Sequence, residues 1–120
     1  MPIPTGQLDK RLALQRPVPG SGALGEPLPG WQTVTTVWAM VDDLRGEELE
    51  RAKRIEARAS TMLVFEYLPT VRPDWRAVWT EKEGSAPART VVFHFVEVRD
   101  WHQRHLQLRV AAYAIDGEAP

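Results

Sequence analysis

Cysteine is absent from the 120-residue chain, which excludes disulfides, zinc–thiolate sites and thiol nucleophiles and fits a reducing, cytoplasmic setting. An excess of charge of either sign is missing as well. The 15 basic and 16 acidic residues leave a net charge of -1, too balanced for the strongly basic surface that grips nucleic-acid phosphates. The opening "MPIPTGQLDKRL" lacks the apolar stretch of a signal peptide. The longest uninterrupted apolar run, Val110 to Ile115, is far below the ~18 residues of a membrane helix. A soluble chain with no membrane partner is expected. Its length predicts a single domain over residues 1–120, because two cores in so short a chain would each be marginal.

What the chain has is strand patterning. "QLDKRLALQRP" alternates Leu8, Lys10, Leu12 and Leu14 against Asp9, Arg11, Ala13 and Gln15 until Pro17 stops it. Residues 17–30, "PVPGSGALGEPLPG", hold four Pro and four Gly with almost no charge. Such a segment buries too little apolar surface to offset its ordering entropy, so a long mobile loop is expected. In "WQTVTTVWAMVDDL", β-branched and aromatic residues predict a strand covered on both faces. Val37, Ala39 and Val41 lie on one face, Val34, Trp38 and Met40 on the other. At Gly46 the period turns helical. "RGEELERAKRIEARAS" puts Leu49, Ala52, Ile55 and Ala59 on one stripe, with Glu47 and Glu48 in the first turn, where they suit the helix dipole.

Strands follow at "TMLVFEYLP", at Arg76 to Thr80, at "TVVFHFVEVRD" and at "HLQLRVAAYAI", with a frayed tail over 116–120. The predicted fold class is mainly β with one α-helix. A small antiparallel β-barrel or sandwich of about five or six strands would carry the helix on one face.

The helix poses a question of partners. Its i,i+4 pairs, Glu47 with Arg51 and Glu50 with Arg54, are each worth only ~0.2–0.5 kcal/mol. Burial of Leu49 and Ile55 contributes ~1.5–3 kcal/mol apiece. Packing must hold the helix, and its other face, five basic and four acidic residues from Arg45 to Arg58, is a solvated face or a meeting place for a neighbour.

The order of these motifs resembles the phage head-tail joining family, also called head-closure, stopper or adaptor proteins. The resemblance rests on "TGQLDKRLALQRP", "GWQTVTTVWAMVDDLRGEELERA" and "TMLVFEYLPTVRPDWRAVW". The matching positions are Gly6, Leu8, Arg11, Gln15, Arg16 and Pro17; Trp31, Trp38, Ala39, Val41, Leu44, Gly46, Glu48 and Ala52; and Tyr67 and Arg76. Glu66 departs from the Arg usual before the Tyr, and "TEKEGSAPAR" is longer than the tight turn of relatives. The resemblance implies a virion subunit at the head-tail junction, in the host cytoplasm during assembly. It would form a six- or twelve-fold homo-oligomeric ring between a portal-side adaptor and a tail-terminator or other tail protein. Such a ring helps retain the packaged genome and conducts double-stranded DNA without sequence specificity. Under that reading the subunit or partner interface would draw on Arg45, Glu47, Glu48, Arg51, Arg54 and Arg58, with Trp31, Trp75 and Trp101, for which core and interface roles both stay open. Pro19, Gly20, Gly22, Gly25 and Pro27 would belong to a channel-facing or partner-facing loop.

No catalytic, cofactor or metal residues are expected, and hence no enzyme. Asp42 with Asp43, and Glu47 with Glu48, are adjacent rather than facing across a cleft. Ser21, Ser60 and Ser85 lack a nucleophile elbow, and the Gly residues of 17–30 carry no Lys for a phosphate. Asp100, His102 and His105 are zinc-compatible ligand types, but three ligands in one short turn rarely close a tetrahedron. The competing function is a small-barrel module for single-stranded nucleic acid. It would use Trp75, Trp79 or Trp101 as stacking platforms and Arg72, Arg76 and Arg99 on phosphates.

Overall fold

The computed structural model describes residues 7–21, 27–81, 89–100 and 106–116. Six strands and one helix follow in the order β1 (Lys10–Ser21), β2 (Pro27–Asp43), α1 (Gly46–Ile55), β3 (Thr61–Glu66), β4 (Arg76–Glu81), β5 (Arg89–Asp100) and β6 (Gln107–Asp116). Neighbouring strands pair antiparallel and close into a barrel with the order β1-β2-β3-β6-β5-β4. Closure comes from Ala13, Leu14 and Gln15 of β1 pairing with Val78, Ala77 and Arg76 of β4, which leaves no long sheet edge within the barrel wall.

Period-two alternation decides which residues fill the interior. Leu12 and Leu14, Ala39, Leu63 and Phe65, Ala77, Phe93, and Leu108 and Val110 point inward and form one buried cluster, which Val71 and Trp75 complete. A second cluster lies outside the wall, under the helix. There Ala52 and the half-buried Leu49 of α1 meet Met62, Val64 and Val96, joined by Leu8, Leu44 and Ala59. β3 is therefore buried on both faces, which explains why "MLVF" is a continuous apolar run instead of an alternating one.

The helix is shorter than its stripe suggested. It ends at Ile55 because Glu56 is already extended, with φ -144° and ψ 116°, and only its N–H still bonds back to Ala52 O. Ala59 remains buried, but from the turn beyond the helix. Ile55, expected to pack, is 60% exposed. Gly46 takes φ +58°, the left-handed conformation that glycine adopts without a steric penalty; this is how the chain passes from β2 to α1 so abruptly.

The expected mobile loop over 17–30 is corrected by the strand register. Residues 17–21 continue β1 and 27–30 open β2, with Pro17 opposite Trp31, Val18 opposite Gly30, Pro19 opposite Pro29, and Ser21 opposite Pro27; Gly22 and Gly25 lie outside the described residues. Opposed residues in an antiparallel ladder either exchange both hydrogen bonds or neither. Proline has no N–H, so the Pro19–Pro29 pair must be of the second kind, and the same parity holds for Pro17 and Pro27. All four proline nitrogens thus face away from the partner strand, where a missing donor does not break the ladder. Among the described residues this arm is two-stranded, since β2 joins β3 only over residues 39–43. The tail expected to fray over 116–120 is strand at Asp116; residues 117–120 lie outside the described residues.

Candidate assembly surface

The expected interface charges on α1 divide into two groups. Glu48 and Arg51 turn toward the barrel: Arg109 of β6 donates from Nη2 to Glu48 Oε1 at 2.8 Å, and Arg51 Nε donates to Glu97 Oε2 of β5 at 3.0 Å. Arg51 therefore pairs across elements and not with Glu47 as its i,i+4 spacing suggested. These partly exposed pairs contribute at most about 1 kcal/mol each, but they fix how the helix lies across β6 and β5. Arg45 sits 3.6 Å from Asp42. Arg58 donates from Nε to Glu56 Oε1 at 2.8 Å while its guanidinium lies 4.2 Å over the Tyr113 ring. The Arg58 side-chain and backbone N–H bonds hold the Glu56 carboxyl below its usual range, and Glu56 raises Arg58 in return. Glu47 and Arg54, with Lys53 in the last turn, form no ion pair among the described residues.

For the tryptophans whose core and interface roles stayed open, the structure gives positions. Trp75 is 6% exposed inside the barrel core, which fits the core reading. Trp31 is half-buried, with the Arg76 guanidinium 4.3 Å over its ring and His94 edge-on at 6.1 Å. Arg76 is itself 3% exposed and donates from Nε to Gln15 Oε1 at 2.7 Å, and Gln15 Nε2 donates to Thr33 Oγ1 at 3.1 Å. His94 stacks on Tyr113 at 5.1 Å. These contacts brace the outer wall from β2 to β6. They also remove Trp75 and Arg76 from the surface that the nucleic-acid reading needed; Trp79 is half-buried against the core with Lys10 5.3 Å over it, and Arg99 lies 3.7 Å from Glu97. Trp101, His102 and His105 lie outside the described residues. Among the described residues no group of His, Asp and Glu is arranged to hold a metal. Of the loop candidates, Pro19 and Gly20 belong to β1 and Pro27 to β2.

Trp38, like Ile55, is a residue that sequence reasoning placed wrongly. Expected in the core, it is 52% exposed, with Arg11, its cross-strand partner, 5.0 Å over the ring. It walls a groove of about 490 Å³ together with Leu8, Val37, Glu66, Tyr67 and Leu68. Leu106, 50% exposed, stands near it, since Tyr67 N–H bonds to Leu106 O at 3.1 Å. The available signal was length: ten helical residues span about 15 Å, too little to cover the outward side chains of a 17-residue strand. Among the described residues, the groove and the outer face of α1 are two uncovered parts of the surface; a smaller cavity beside Arg16, Gln32, Thr33, Val34, Thr70 and Trp75 is another.

The profile of the phage head completion protein family matches residues 3–112. The chain belongs to that family. Head completion proteins are structural components of the virion, acting where the head meets the tail, and this chain shares that place. No curated protein sequence matches it. Among solved structures, the head completion chain is similar to a protein of Shigella flexneri 2a determined in solution, with a TM-score of 0.64, 18% identity, and coverage of 98% of this chain and 100% of that one. It is also similar to a chain in the virion of a native gene transfer agent particle, with a TM-score of 0.53, 19% identity, and coverage of 92% and 96%. At these identities the two likenesses concern the fold: the barrel with its helix is shared over nearly full length.

Proposed function

We propose that the protein is a ring-forming subunit of the neck of a tailed phage or related particle, joining the DNA-filled head to the tail and helping to retain and then conduct the genome. Family membership over residues 3–112 carries this reading. The geometry supports it: the outer surface of the closed barrel offers an apolar groove and a helix whose terminal cations are unpaired among the described residues. The partners are further copies of the chain, a portal-side adaptor and tail proteins. Balanced charge suits a conduit, because each neutralised phosphate would add affinity and slow the passage of DNA. The α1 charges Glu47 and Arg54 and the β1–β2 arm are the parts best placed to meet neighbours.

The test is deletion of the gene from the producing genome. The expected result is heads that lose DNA or fail to receive tails, restored by supplying the protein in trans. Infectious, genome-filled, tailed particles made without it would overturn the reading.

A further inference from the structure

Resting on the ring reading, we propose that successive subunits join head to tail through one contact: Ile55 at the end of α1, flanked by Lys53 and Arg54, seats in the Trp38 groove of the next copy, with Glu66 facing the two cations.

Three observations carry it. Ile55 and Trp38 are exposed large apolar side chains, 60% and 52% respectively, and both carry charge close by. The complementary charge is Glu66; Arg11, over the Trp38 ring, is a cation, so the incoming Lys53 and Arg54 lie toward Glu66 and away from Arg11. Glu66 lines the groove and is exposed, Lys53 and Arg54 stand in the last turn of the helix, and none of the three forms an ion pair among the described residues. The two features also occupy different sides of the barrel. The groove lies where β2 meets β3, because Ala39 pairs with Phe65 beside Trp38 and Glu66. The helix runs from the end of β2 across β6, where Glu48 meets Arg109, to β5, where Arg51 meets Glu97, so its last residue lies on the far side of β3 from the groove.

A knob and a groove on separate faces cannot satisfy each other across a two-fold axis. They make a heterologous contact, which propagates from copy to copy and ends only when a ring closes. Tryptophan is among the residue types that most often dominate binding, and Trp38 lines the seat.

The absence of cysteine makes the test clean. In particles carrying Arg54→Cys together with Glu66→Cys, oxidation of isolated necks is expected to give a covalent ladder whose largest rung is the whole ring, while each single-cysteine variant gives none. Single-cysteine dimers would reveal a two-fold contact and overturn the proposal. So would an unladdered double variant in necks where electron microscopy shows a ring of this protein. Necks without such a ring would instead sink the ring reading itself. As a second measurement, E66K and R54E are each expected to lower incorporation into particles about tenfold, and their combination to recover most of it. Failure of the combination to recover, with both single variants folded, would also overturn the contact.

Discussion

The inside and the outside of the barrel wall follow different rules. Inside, Leu12, Leu14, Leu63, Phe65 and Val110 are completely buried, and the strands contribute by alternation, interrupted by register shifts after Leu14 and Phe95. Outside, the surface is a patchwork: a region sealed by α1, a polar brace of Gln15, Arg76, Trp31, His94 and Tyr113, and a groove left open at Trp38. The difference teaches that folding is largely settled within the wall, whereas the outer face divides its residues between holding the helix, bracing the strands and facing solvent.

That contrast can be broken at graded cost. Phe65→Ala removes the largest fully buried side chain among the described residues and is expected to lower unfolding free energy by about 3–5 kcal/mol in urea titration. Arg76→Ala leaves the buried Gln15 carbonyl short of a donor, and should cost about 1–3 kcal/mol by the same measurement. Gly46→Ala introduces a Cβ that meets nothing within 4 Å, so only the positive φ is penalised; about 1–2 kcal/mol is expected, with Gly46→Asn milder. Trp38→Ser should change monomer stability by less than about 1 kcal/mol, the size of an exposed cation–π contact, while sharply lowering incorporation into particles. The smallest effect is pH-dependent. The Glu56 carboxyl is depressed by its bonds from Arg58, so its contribution is complete above the ordinary carboxylate range and is lost as pH falls through the lowered value. The stability difference between the native protein and Glu56→Gln should shrink on acidification and in high salt.

Most strands were legible because their one apolar face had to alternate, as in Leu108, Val110 and Ala112. The mainly-β class, the helix and the Gly46 junction were legible for similar reasons; barrel and sandwich both fitted the alternation, and the β1–β4 pairing decides for the barrel. Residues whose fate depends on what lies over them were not. Trp38 and Met40 share a face of β2, but only Met40 is packed under the helix layer. Ile55 fits the helical stripe, and is exposed because the helix stops there. Trp75 follows a Pro-Asp turn that looks exposed, but the chain folds inward and Phe95 N–H bonds to its carbonyl at 3.1 Å. Arg51 had a partner of suitable spacing in Glu47 and took a distant one in Glu97. Proline and glycine content argued for a loop over 17–30; composition does not record that the prolines fall in register, with their nitrogens on the outer sides of the ribbon.

That register bears on crowding. A two-stranded ribbon in a crowded particle would ordinarily invite a neighbouring strand to add on and seed fibres. Pro17 and Pro19 on one rim, and Pro27 and Pro29 on the other, offer carbonyls without amide donors, so an incoming strand finds half its bonds unanswered. Any seat the ribbon takes must then be made by its flat sides, which keeps a sticky motif from polymerising while leaving it free to be gripped.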